Sequence, residues 1–302
     1  MKIAIVGLGR MGMQIARKLL EAGNEVIGLN RTTDKTDEAA GYGAIAAYSK
    51  QEVLDAFQGE RPIVWLMIPA DVVDADLQEW LDLLPEQSII IDGGNTDYRS
   101  TKHHAALADD HGIALIDSGT SGGVWGYERG FSLMIGGNSD AYDAIEPIFQ
   151  ALALPHGGYA YFGQPGSGHY VKMVHNAIEY GMMESLAEGY RMLKEGPYND
   201  IDLVKAGTVW QESSVVTSWL NELSRDALAE NPTLEGIEGY VAESGEGRWT
   251  LETAQELGIS LPAIQAAFDV RLASQQGETN FSTQLLAAMR NKFGGHTTEK
   301  PV

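Results

Sequence analysis

Apolar and polar positions follow two different rhythms along this chain. In the first part, short β-rich runs alternate with helical stretches. Lys2–Val6, Glu25–Leu29, Ile63–Ile68, Ser88–Asp92, Ile113–Asp117, Ser132–Ile135 and Tyr159–Phe162 read as strands. Between the first two, Met13–Ala22 carries Ile15, Ala16, Leu19 and Leu20 at helical spacing, and Gly23 follows as a C-cap. This alternation predicts a parallel sheet covered by helices. After Gly163-Gln164-Pro165-Gly166 the texture changes. From His169 onward the pattern is helical, broken at Gly196-Pro197, Asn231-Pro232 and the Ser244–Gly247 turn. The expected boundary lies near Gly163–Gly166. It divides an α/β domain over 1–163 from an all-α domain over 164–302, which ends in a polar tail after Phe293.

Composition narrows the picture. A length of 302 residues suits about two domains, and an apolar fraction of 44% is that of a globular chain rather than a disordered or fibrous one. The longest near-continuous apolar stretch, Ile63–Ala70, is far short of the roughly 18–20 residues that cross a bilayer. Met1–Val6 runs straight into a glycine turn without the features of a signal peptide, and a cytoplasmic location is expected. With no Cys, disulfides, thiolate catalysis and Cys-ligated zinc are excluded. Net charge is 21 − 42 = −21, which argues against nucleic acid as a partner. A small anionic substrate remains open where cations gather locally, so each Arg and Lys matters.

Gly7-Leu8-Gly9-Arg10-Met11-Gly12 follows a strand and opens a helix, the context in which this glycine spacing binds a dinucleotide. The first glycine permits the turn, the second lets backbone amides approach a pyrophosphate, and the third lets helix and strand pack closely. A Rossmann-type doubly wound sheet is therefore expected. At the tip of the second strand stand Asn30-Arg31-Thr32, with no acid to select a ribose hydroxyl. A guanidinium, an amide and a hydroxyl favour the extra phosphate of NADP; NAD stays possible, because Arg31 could also stack on adenine.

Three clusters promise chemistry on the substrate. Asp92-Gly93-Gly94-Asn95 ends a strand, where open α/β sheets place ligands. Ser118-Gly119-Thr120-Ser121-Gly122-Gly123 is expected to form a backbone donor nest. In the helix that follows Gly166, Lys172, His175, Asn176 and Glu179 fall on one face at i, i+3, i+4 and i+7, with Val171, Val174 and Ile178 as the adjacent inward stripe. A neutral Lys could take a hydroxyl proton as hydride leaves and then donate to the new carbonyl. Its pKa would have to fall from about 10.4 toward neutrality, roughly three units or about 4 kcal/mol. Metal binding is not expected: His103, His104 and His111 read as solvated, and Asp34–Glu38 and Asp71–Asp76 as solvated faces or helix starts.

These motifs, above all Lys172-Met173-Val174-His175-Asn176 with Ile178-Glu179-Tyr180, resemble the decarboxylating 6-phosphogluconate dehydrogenases of the short bacterial type, over essentially the whole chain. The resemblance implies an enzyme of the pentose phosphate pathway. It would oxidise C3 of 6-phosphogluconate, release carbon dioxide without a metal, and give ribulose 5-phosphate. It makes Lys172 the base and then acid at the C3 oxygen, and Glu179 the acid that protonates C1 of the enediol. Asn95, Ser121, Gly122, Gly123, His175, Asn176 and Tyr180 would orient the sugar acid. Asn95 would also face the cofactor held by Gly7, Leu8, Gly9, Arg10, Met11, Gly12, Asn30, Arg31 and Thr32, with Met11 beside the nicotinamide. The tail Arg290-Asn291-Lys292-Phe293-Gly294-Gly295-His296 implies a homodimer, or a tetramer of dimers, in which Arg290 and His296 complete the neighbouring subunit's site.

Two segments depart from the family pattern. Ser244–Thr250 takes the place of a lysine-bearing, phosphate-holding segment of the long members. Thr217 stands where an Arg is expected to contact the substrate phosphate; a charge-assisted contact is worth about 1.5–3 kcal/mol, roughly ten- to hundredfold in affinity. The alternatives are therefore a gluconate with another head group, unphosphorylated or sulfonated, or a non-decarboxylating β-hydroxyacid dehydrogenase that uses Lys172 and Asn176 alone. A catalytically idle dinucleotide-binding scaffold is disfavoured because Lys172 and Glu179 are both present.

Overall fold

The computed structural model describes residues 1–198 and 200–298. They divide into two compact units, the first Met1–Lys172 and the second beginning at Met173.

The first unit is an eight-stranded sheet of β1 (Lys2–Val6), β2 (Glu25–Leu29), β3 (Ile45–Ala47), β4 (Ile63–Leu66), β5 (Ile89–Asp92), β6 (Ala114–Ser121), β7 (Ser132–Gly137) and β8 (Gly158–Tyr161), in the order β3-β2-β1-β4-β5-β6-β7-β8. Helices α1 (Arg10–Glu21), α2 (Thr33–Gly41), α3 (Lys50–Ala56), α4 (Ala70–Leu83), α5 (Tyr98–Asp110), α6 (Gly126–Arg129) and α7 (Ser139–Ala153) connect the strands. Alternate strand residues enter opposite cores, because successive side chains point to opposite faces. Ile3 and Ile5 join Ile15 and Leu19 of α1 and Phe149 of α7, whereas Ala4 and Val6 join Val53 of α3 and Leu77 and Trp80 of α4. Burial on both faces is why the strands read as continuous apolar runs.

All pairings are parallel except β6–β7. A parallel return needs a crossover of a dozen or more residues, and the link between Ser121 and Ser132 holds little more than the short α6. The short β3 carries no readable pattern and was not expected. Helix α1 starts at Arg10, earlier than Met13, because the glycine turn feeds directly into it. His104, expected in solvent, is buried, and its Nε2 lies 2.7 Å from Asp74 Oδ1.

Helix α8 (Ser167–Glu195) runs across the division, later in the chain than the boundary expected near Gly163–Gly166. Its first turn belongs to the sheet unit: the buried Asp117 of β6 accepts from the backbone N–H of Gly166 (2.8 Å) and of His169 (2.9 Å). The second unit contains the rest of α8, with α9 (Leu203–Gln211), α10 (Trp219–Glu230), α11 (Glu246–Glu256), α12 (Pro262–Gln275) and α13 (Phe281–Gly294). The buried stripe of α8 is Met173, Ala177, Tyr180, Met183 and Ala187; Ile178, expected inward, is 51% exposed. Among the described residues, no helix is long and apolar enough to cross a membrane.

Candidate active site

The glycine turn between β1 and α1 is shaped for a pyrophosphate. Gly7 sits at φ +95°, and a Cβ there would stand 2.4 Å from the Met67 carbonyl oxygen; one on Gly12 would stand 1.9 Å from the Gly7 oxygen. Both positions need glycine on steric grounds. Gly9 is different: a Cβ would meet nothing within 4 Å, so the fold itself does not demand glycine there. α1 has no side-chain cap and no acid in its first turn, which leaves its N-terminal amides and dipole to an anion. These features fit a dinucleotide.

Asn30 and Thr32 act differently from expectation. Asn30 Oδ1 accepts from Leu8 N (2.9 Å), while its Nδ2 donates to Thr32 O (3.2 Å) and Oγ1 (3.0 Å). Asn30 thus ties the glycine turn to the end of β2 rather than presenting an amide to a phosphate. Arg31 is exposed and makes no ion pair among the described residues. Nearby, a hydrogen bond from Thr32 holds the Asp34 carboxyl below its usual range. The exposed cation at the strand tip therefore shares its surroundings with a carboxylate.

The substrate clusters of this unit lie at the ends of β5 and β6. Asp92 is buried, and its Oδ1 accepts from Gly94 N (3.0 Å), shaping the turn that presents the exposed Asn95. The second cluster is not a loop throughout: Ser118–Ser121 belong to β6, and only Gly122 (φ +131°) and Gly123 (φ +54°) form the turn. Gly119 is the site's clearest steric requirement. A Cβ there would stand 2.4 Å from Lys172 Cβ and 3.0 Å from its Cγ, so the lysine stem lies directly against β6.

In the helical unit, the remaining predicted residues of α8 meet partners from α11, α12 and α13. Asn176 Nδ2 donates to Glu246 Oε1, and His175 Nδ1 lies 2.9 Å from Asn176 Oδ1. Tyr180 is buried, with the guanidinium carbon of Arg271 3.4 Å from its ring centroid. Arg271 is 1% exposed and donates to Ala242 O (3.2 Å). Burial pushes it down to about 10, so it stays cationic at neutral pH. Burial also lowers Arg290, which is 6% exposed and makes no hydrogen bond or ion pair among the described residues. Both arginines lie within electrostatic reach of Glu179 and Tyr180. Burial, reinforced by Glu188 and opposed by Arg271, pushes Glu184 up to about 7, so at neutral pH it is only about half ionised and offsets the charge on Arg271 in part.

Three further residues singled out in the sequence are placed as follows. Thr217 is exposed, and its Oγ1 donates to the carbonyls of Ser214 (2.7 Å), Trp210 (3.1 Å) and Gln211 (3.2 Å), closing the turn between α9 and α10. A buried cation that sequence reasoning did not single out, Arg271 of α12, stands instead against the Tyr180 ring. Its signal was its place on the apolar face with Ala267 and Phe268, at i+4 and i+3. Arg290, expected to reach into a partner's site, is buried beside α8 of its own chain. His296 folds back on its own helix end, its ring against Phe293 and its carbonyl accepting from Asn291 Nδ2 (2.8 Å).

The fold and the dinucleotide turn, with a lysine seated against β6, define an NAD(P)-dependent oxidoreductase of the Rossmann type. Residues 2–163 match the model of the NAD-binding domain of 6-phosphogluconate dehydrogenase, and residues 168–281 match the C-terminal domain of the same enzyme. The chain belongs to the 6-phosphogluconate dehydrogenase family. It is 38% identical to the NAD-dependent, decarboxylating 6-phosphogluconate dehydrogenase of Haloferax volcanii, over 98% of each chain. It is 33% identical to the NADP-dependent, decarboxylating enzyme of Bacillus subtilis, over 92% of this chain but 62% of that longer one. Among solved structures, the 6-phosphogluconate dehydrogenase of Plasmodium falciparum superposes with a TM-score of 0.81 at 28% identity, covering 96% of this chain and 70% of that one. A 3-hydroxyisobutyrate dehydrogenase of Mycobacterium tuberculosis, 20% identical with a TM-score of 0.73, shares the fold.

Proposed function

We propose that this protein oxidatively decarboxylates 6-phosphogluconate to ribulose 5-phosphate and carbon dioxide, reducing NADP or NAD. The observation that carries the reading is the pair of buried arginines, Arg271 and Arg290, beside Tyr180 and Glu179. Two buried cations without a carboxylate in ion-pair contact among the described residues are costly unless an anion completes them. The phosphate of the sugar acid is a fitting one.

The bound dinucleotide supplies the hydride acceptor. Lys172 takes the proton of the C3 hydroxyl as the C3 hydride leaves, then returns a proton to the new carbonyl oxygen. That carbonyl is β to the carboxylate, so the electron pair released when the C1–C2 bond breaks is taken up as an enediol. Glu179 protonates the enediol carbon that becomes C1 of the product, while Lys172 takes the proton back from the former C3 hydroxyl to restore the ketone. Asn95, Ser121, Gly122, Gly123, His175 and Asn176 orient the acid and its hydroxyls. Arg31 inclines the coenzyme choice toward NADP, and Asp34 keeps that preference narrow. Residues 1–163 serve as the dinucleotide domain and 164–302 as the substrate and dimerisation domain. The exposed Ile178, Met182 and Met192 on α8 give a homodimer an apolar face. A cytoplasmic place in the pentose phosphate pathway completes the proposal.

Steady-state kinetics with two acids and both coenzymes test it. A kcat/KM for 6-phosphogluconate roughly ten- to hundredfold above that for gluconate is expected, the value of charge-assisted contacts to the phosphate. Gluconate turned over as well or better would remove the phosphate from the reading.

A further inference from the structure

Glu246 is a buried carboxylate that the proposed chemistry leaves unused. It is 4% exposed and occupies the first position of α11, after Gly245 at φ +102°. Its Oε1 accepts from Asn176 Nδ2, and its Oε2 is buried with no hydrogen-bond partner among the described residues. A half-satisfied buried carboxylate is costly, and the attraction of the nearby Arg290 offsets only part of that cost; its one hydrogen bond, to Asn176, is the contact with a consequence for the site.

That consequence follows from donor and acceptor chemistry. A carboxylate only accepts hydrogen bonds, so the Asn176 group facing Glu246 is the NH2. This turns the amide oxygen of Asn176 toward His175 Nδ1, 2.9 Å away. An amide oxygen also only accepts, so Nδ1 carries the ring proton. In the neutral ring, Nε2 then holds a lone pair, and it makes no hydrogen bond among the described residues.

We infer that Glu246 is a positioning residue: through Asn176 it fixes His175 as the Nδ1–H tautomer, so that Nε2 accepts from a substrate hydroxyl. The inference rests on the sugar-acid reading only for the identity of that hydroxyl. The tautomer is a property of the protein without substrate.

Glu246→Gln preserves shape but releases the constraint, because a glutamine can face Asn176 with either its oxygen or its NH2. Ring nitrogen shifts from protein 15N-labelled at its seven histidines, with His175→Gln to assign the resonance, read the tautomer without substrate. The native protein should show Nδ1–H at His175. Glu246→Gln should shift the ring toward Nε2–H, with unchanged dinucleotide affinity and a roughly tenfold lower kcat/KM, the value of one hydrogen bond. Nε2–H in the native protein, or the same tautomer in both, would overturn the inference. An Nδ1–H ring that responds to Glu246→Gln in a protein inactive on 6-phosphogluconate would refute the substrate reading and still support the role of Glu246.

Discussion

Lys172→Met is expected to lower kcat with 6-phosphogluconate by roughly 10²–10⁴-fold, the range of a positioned general acid–base group. Methionine retains an unbranched apolar stem, so the contact with Gly119 survives and only the ammonium is lost. Dinucleotide affinity should stay within about twofold, because the glycine turn and the end of β2 are held by their own contacts, Asn30 to Leu8 among them. Steady-state kinetics together with a fluorescence titration of the reduced coenzyme separate the two effects. A fall in kcat of less than about tenfold would take Lys172 out of proton transfer.

The second large effect concerns the distal phosphate. Arg290→Met should lower kcat/KM for 6-phosphogluconate roughly ten- to hundredfold, and for gluconate by less than about threefold. The contrast is expected because Arg290 is buried with no hydrogen bond or ion pair of its own among the described residues, and in the proposed function its charge meets the phosphate. Methionine is apolar and of comparable length, so packing is largely kept, but Glu179 and Glu246 lose a nearby cation, and thermal unfolding of the variant shows whether the fold tolerates that loss. Arg271→Met should act in the same direction, with an added loss from the exposed face of the Tyr180 ring. Equal losses on both acids would mean that the arginines support the fold of the helical unit and not the phosphate.

Much of this was legible in the residues. The glycine turn announces itself because two of its three glycines are demanded by backbone contacts within the fold, and such demands leave a fixed spacing. The central strands were legible because burial on both faces makes them apolar. Their ends were not, because the last residues of a strand are decided by what they pair with. Ser118–Ser121 pair with Ser132–Ile135 and become strand rather than loop.

On α8 two apolar stripes at helical spacing competed, one with Val174 and Ile178, the other with Met173, Ala177 and Tyr180. Only the packed neighbours select the second. Charged residues misled in both directions. His104 and Arg271 are polar by type and buried in fact, because Asp74 receives one and the Tyr180 ring the other. Thr217 drew attention as a missing charge, yet its hydroxyl closes a turn on three carbonyls.

The most direct measurement is the ratio of carbon dioxide released to coenzyme reduced, followed with 6-phosphogluconate carrying 13C at C1. Equal amounts are expected, with ribulose 5-phosphate as the sugar product. Coenzyme reduction without labelled carbon dioxide would contradict the central claim and leave a hydroxyacid dehydrogenase that stops at the keto acid.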